Sequence, residues 1–78
     1  MTFDAIQKLF LAQNNGNDIV TLVDFETNEI FRTCKIKELK KVPLVERFAY
    51  GFASRFFSPK ENQFVDGFFI YCKRAYVI

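Results

Sequence analysis

Eleven Phe and three Tyr share a chain of 78 residues, and this aromatic load constrains the fold more than any other feature. A small domain ordinarily fills its core with Leu, Ile and Val, and a single core of this size does not accommodate every ring. Some rings are therefore expected at the surface. Half of the residues are apolar and 26% are charged, a balance that orders a chain and differs from the composition of disordered segments. The length leaves room for one core, so residues 1–78 are read as a single domain. Such a core leaves a monomer marginally stable, and self-association or a partner would add to it.

From Thr2 to Asn14, the apolar residues Phe3, Ile6, Leu9 and Phe10 recur at helical spacing, with Thr2 as the cap and Asn15-Gly16 as the stop. Residues 19–25 and 30–37 are rich in β-branched and aromatic side chains and flank the polar loop Glu26, Thr27, Asn28, Glu29, which predicts an antiparallel hairpin. In its second strand Ile30, Arg32, Cys34 and Ile36 share one face, and Phe31, Thr33, Lys35 and Lys37 share the other, which should be wet. A second helix is predicted from Pro43 to just before Ser58-Pro59. Its apolar face carries Val45, Phe48, Ala49, Phe52 and Phe56, and Gly51 weakens it.

After the polar break at Lys60 to Gln63, the segment from Phe64 to Ile78 is strand-like, with Phe69, Tyr71 and Val77 alternating against Phe68, Ile70 and Tyr76. Asp66-Gly67 reads as a turn or bulge and Lys73-Arg74 as a second break, so the tail is one bent strand or two. The expected fold is a small two-layer α+β domain of order αββαβ(β), an antiparallel sheet packed by two helices.

The chain has no His, which removes the commonest general base, the Ser-His and Cys-His nucleophile arrangements and most zinc sites. Its two cysteines, Cys34 and Cys72, are too far apart in sequence for a CxxC pair and too few for a four-thiolate site. They read as core thiols. Asp24, Glu26, Asn28 and Glu29 resemble a calcium loop only superficially, because Glu29 stands where the loop needs Gly and Lys35 where it needs Glu. Gly16, Gly51 and Gly67 are isolated, so no phosphate-binding glycine loop exists. The expectation is a protein that is not an enzyme and has no cofactor and no metal.

Two surfaces remain as candidates. Tyr50 and Phe57, seven residues apart, fall on one stripe of the predicted second helix, off its core face and beside Glu46 and Ala53, a pattern that suits a partner or dimer interface. Lys35, Lys37, Lys40 and Lys41, interrupted by Glu38, form the densest positive run and suit an acidic partner or phosphates. The formal net charge of only +2 does not itself point to nucleic acid. The segments Tyr50-Gly51-Phe52-Ala53 and Gly67-Phe68-Phe69-Ile70-Tyr71 match the aromatic RNP1 pattern of RNA-recognition sheets poorly. The first falls in a predicted helix, and the second has Asp66 where a basic residue belongs.

The leading expectation is a protein-binding module acting as a homodimer. Heavy use of Phe, Ile, Lys, Asn and Tyr fits an AT-rich genome and, with it, a phage or mobile-element inhibitor that blocks a host protein complex. The alternative is a nucleic-acid binder in which Lys35, Lys37, Lys40, Lys41, Lys73 and Arg74 track phosphates while Phe31 or Tyr71 stacks on bases. The longest apolar stretch near the start, Leu9 to Ala12, follows Asp4, Gln7 and Lys8, so neither a signal peptide nor a membrane span is expected, and the cytoplasm is the expected location.

Overall fold

Thr2 opens the fold as the sequence anticipates. In the computed structural model, which describes residues 1–76, its hydroxyl accepts a hydrogen bond from the Ala5 amide at 3.2 Å and caps α1 (Phe3–Gln13). Phe3, Ile6 and Phe10 form the buried stripe of this helix. Strands β1 (Ile19–Asp24) and β2 (Ile30–Lys35) pair antiparallel around the polar loop, where Asn28 takes the left-handed conformation (φ 61°) that Asn tolerates in turns. A 3-10 helix, Ile36–Lys41, follows β2 and tucks Ile36 and Leu39 into the core beside α1.

The chain then departs from expectation. Residues 43–50 are an irregular connection, and the predicted second helix is replaced by strand β3 (Gly51–Ser58), which forms a hairpin with β4 (Gln63–Cys72). The apolar residues Phe48, Phe52 and Phe56 repeat at intervals of four, which suits a helix face, but an even interval suits a strand equally. Local composition decides between them. Gly51, Ser54 and Ser58 weaken a helix while Phe52, Phe56 and Phe57 favour a pleated surface, and Ser58–Asn62 makes the turn that supplies a pairing partner, with the Asn62 amide donating to the Ser58 carbonyl at 2.7 Å.

The sheet order is β2-β1-β4-β3, with β1 and β4 parallel. The sheet is therefore mixed rather than antiparallel: the β3–β4 hairpin docks whole, through β4, against β1. The element order is one α-helix, two strands, a 3-10 helix, two strands and a second 3-10 helix, Arg74–Tyr76, in place of αββαβ(β) with two packing helices. The α+β class stands. The break at Lys73-Arg74 ends β4, and between Ala53 and Arg55 the register shifts against Phe69 and Asp66, so the extra residue lies in β4 at Gly67-Phe68. Val77, read as part of the tail's alternation, lies outside the described residues.

The main core joins Phe3, Ile6 and Phe10 of α1 to Val20 and Leu22 of β1, Ile70 and Cys72 of β4, and Ile36 and Leu39. By strand alternation Val23, Phe69 and Tyr71 point away from this core. There they meet Phe56 in a second, smaller cluster, with the Phe56 and Phe69 rings stacked at 5.2 Å. No helix of the described residues is long and apolar enough to cross a membrane.

Candidate functional site

At the end of the sheet where β1 and β4 finish, two segments distant in sequence bring aromatic rings together. Phe25 leaves β1, and its amide donates to the Cys72 carbonyl at 2.8 Å. Tyr50 enters β3, and its amide donates to the Tyr71 carbonyl at 2.8 Å. Their rings stack at 4.1 Å with an interplanar angle of 13°, and Phe48 meets Tyr50 edge-on at 5.7 Å. Phe25, Phe48 and Tyr50 are 49%, 43% and 42% exposed. These are large rings held in fixed positions on the surface, packed against one another rather than into the core.

The scaffold beneath them is made of main-chain bonds. Phe48 pairs with Thr2, and the Met1 ammonium and Ala49 amide exchange hydrogen bonds with the Ala49 and Met1 carbonyls at 3.1 and 2.7 Å. Arg47 clamps the same connection. Its guanidinium donates to the Val42 and Leu39 carbonyls at 3.1 and 3.2 Å, reaches Asp4 at 3.6 Å and lies 5.7 Å from the centre of the Phe3 ring. The hairpin loop that carries Phe25 is organised by Asp24, whose carboxylate accepts from the Glu26 amide and the Thr27 hydroxyl.

Polar groups rim the rings. The Lys73 ammonium lies 3.7 Å from Glu26 and 6.0 Å from the centre of the Tyr76 ring. Hydrogen bonding to the Tyr50 phenol, first, and then the charges around it hold Lys73 above the ordinary lysine range, so it stays an ammonium. A separate hydrogen bond with Tyr50, followed by desolvation, raises the Tyr76 phenol. Glu46, exposed, lies within the Pro43–Tyr50 connection. Ammonium, phenols and carboxylates here offer donors and acceptors around an apolar centre, and no nucleophile is paired with a base. Among the described residues no cluster of three metal-ligating side chains exists.

The structure separates the predicted interface residues. Tyr50 and Phe57 are both exposed, but seven residues of extended chain span about 23 Å, where two helical turns would span about 10 Å. Phe57 belongs to a different patch, edge-on to Phe64 at 5.3 Å, with the Arg55 guanidinium 4.7 Å from the centre of the Phe64 ring. Ala53, half-buried, pairs with Phe69 in the sheet and lines no surface with Tyr50. Sequence reasoning missed Phe25, Lys73 and Tyr76 as companions of Tyr50, because pairing of β4 with both β1 and β3 brings these segments together and no local pattern announces it; the predicted helix instead places Phe48, two residues from Tyr50, on its core face.

Lys35, Lys37, Lys40 and Lys41 are all exposed, at the end of β2 and along the 3-10 helix, and none makes an ion pair among the described residues. Lys35 pairs with Ile19, at the opposite end of β1 from Phe25. The proposed stacking rings are committed elsewhere: Phe31 packs on the main core and Tyr71 on the second cluster. Lys73 is tied to Glu26, and Arg74 is exposed. The thiols are protected by burial, which raises Cys34 and, with the Asp24 charge, pushes Cys72 up to about 11. No protein-family model matches the chain, and comparison with curated proteins and with solved structures finds no match to either.

Proposed function

We propose that the protein is a non-enzymatic protein-binding module whose contact surface is the Phe25, Phe48 and Tyr50 ring cluster, rimmed by Glu46 and Lys73. The observation that carries this reading is the exposure of three mutually packed rings on a main-chain scaffold. Rings fixed by one another lose little freedom when covered, and contiguous apolar surface of this kind marks contact sites. The absence of His from the sequence supports a role in binding rather than catalysis. The AT-rich residue usage supports the narrower reading of a phage or mobile-element inhibitor that covers a surface of a host complex.

Capture on the tagged chain from its native cells, with and without nuclease, tests the proposal. A protein retained through nuclease treatment by the wild type, and lost by a folded Tyr50→Ala variant, is expected. Retention by that variant at the wild-type level would overturn it. A second reading rests on the exposed Lys35, Lys37, Lys40 and Lys41, which suit phosphates. It predicts material lost on nuclease treatment and an affinity that falls steeply with salt, whereas ring-mediated contact responds little to salt.

A further inference from the structure

Strand β2 forms one edge of the sheet, and its main chain turns outward at defined residues. The Ile36 amide donates to the Asp18 carbonyl at 2.9 Å, continuing the register that pairs Lys35 with Ile19, Cys34 with Val20 and Arg32 with Leu22. Bonding alternates residue by residue along an antiparallel pair, so the main chains of Arg32, Cys34 and Ile36 face β1. Thr33 therefore turns its amide and carbonyl outward and Lys35 its amide, while the Lys35 carbonyl begins the 3-10 helix as its N-cap. The bulge at Phe31 ends the regular stretch on the other side. From Arg32 to Lys35 the side chains alternate without a break: Cys34 packs on the main core, Arg32 shares its face, and Thr33 and Lys35 take the other. Residues 32–41 carry five cations, Arg32, Lys35, Lys37, Lys40 and Lys41, all exposed, and one carboxylate, Glu38, although the whole chain has a net charge of only +2.

We infer that this edge takes an acidic, extended segment of a partner protein as an added strand, antiparallel to β2, with carboxylates opposite Lys35 and Arg32. Directly opposed side chains on one face of a sheet approach closely, and opposite charges there stabilise the pair while like charges destabilise it. Cations on an edge keep out strands that bring cations or no charge at all. They do not keep out a strand that answers them, which makes the same residues a source of specificity. A second copy is excluded as the occupant on that ground, because its β2 would bring five further cations to the same edge. Nucleic acid has no alternating amides and carbonyls to pair with Thr33, and the rings that would stack on its bases, Phe31 and Tyr71, pack elsewhere. Arg32 and Lys35 lie three positions apart on opposite faces, so the segment carries acidic residues at the first and fourth of four successive positions. Carboxylates preceding the first continue toward the 3-10 helix that bears Lys37, Lys40 and Lys41. This edge is separate from the ring cluster, and the inference does not depend on it.

Amide hydrogen exchange of the intact chain, followed residue by residue by NMR, tests the inference. The probe is a synthetic peptide whose four central residues are glutamate, threonine, valine and glutamate. At saturation it is expected to slow exchange of the Thr33 and Lys35 amides by about tenfold or more, and to change little at Arg32 and Cys34, whose amides already bond to β1. The same peptide with glutamine at both acidic positions should bind about tenfold more weakly. A folded Lys35→Glu variant should reject the glutamate peptide and accept one with lysine at the first central position, an exchange of charge that fixes the register. No slowing at millimolar peptide overturns the inference, as does binding that leaves the Thr33 and Lys35 amides exchanging freely, since that is attraction without an added strand. Equal affinity for the glutamate and glutamine peptides contradicts the role of the cations, and rejection of both the glutamate and the lysine peptide by Lys35→Glu contradicts the register.

Discussion

Phe3 and Phe48 lie on adjacent stretches of backbone, joined where Thr2 pairs with Phe48, yet one is fully buried and the other 43% exposed. The contrast extends to the regions around them. Beneath α1, Phe3 and Phe10 share the core with the aliphatic residues Ile6, Val20, Leu22, Ile36, Leu39 and Ile70. At the Tyr50 end the rings lie on the surface, and much of their packing is against one another. Aromatic surplus in a chain this small is therefore sorted by position, with buried rings on the helix side of the sheet and exposed rings at the strand ends.

The largest effect that sharpens this contrast is expected inside the core. Leu22→Ala removes a fully buried side chain and should lower unfolding free energy by about 3 kcal/mol in urea titrations; a loss below about 1 kcal/mol would mean the helix side does not carry the fold. Gln7 comes next. Its side-chain amide donates to the Ile36 carbonyl at 2.9 Å, buried, and Gln7→Leu should cost about 2 kcal/mol by leaving that carbonyl without its donor. A neutral result would show that the 3-10 helix is not anchored through this bond. Phe48→Ala, at the other region, should cost under about 1 kcal/mol, since it removes one edge-on ring contact from an exposed site. A loss as large as that of Leu22→Ala would make the ring cluster part of the core and erase the contrast.

A further expected effect is a pH dependence. The Cys72 thiol is pushed from its ordinary 9.0 to about 11, by burial first and then by the Asp24 charge. A raised value in the folded state means that its contribution is complete below 9.0 and is lost as pH climbs through about 11. The wild type should therefore lose stability faster than a Cys72→Ala variant over that window, measured as the difference between their urea midpoints. Parallel midpoints for the two proteins would place the thiol in contact with water.

The first half of the molecule was legible because its signals are local: Thr2 caps the helix that Phe3, Ile6 and Phe10 bury, and the polar loop at Glu26–Glu29 sits between two β-rich runs. Between Pro43 and Ser58 the same reasoning failed, since intervals of four between aromatic residues fit a helix and a strand alike, and long-range pairing with β4 settled the matter. Tyr50 and Phe57 stand out in the sequence as a candidate contact stripe off the core face, and both rings are exposed. Their grouping followed from the wrong period, which is why Phe25 and Phe48, not Phe57, stand beside Tyr50. The Gly67 irregularity was readable because an isolated glycine in a strand signals a bulge.

The most direct test joins stability and binding in one preparation: the thermal midpoint of a Phe48→Ala, Tyr50→Ala double variant, measured alongside its retention of the protein that the wild type captures through nuclease treatment. A midpoint within a few degrees of wild type together with lost retention is the predicted result. A folded double variant that retains the captured protein at the wild-type level would contradict the assignment of the ring cluster as the contact surface.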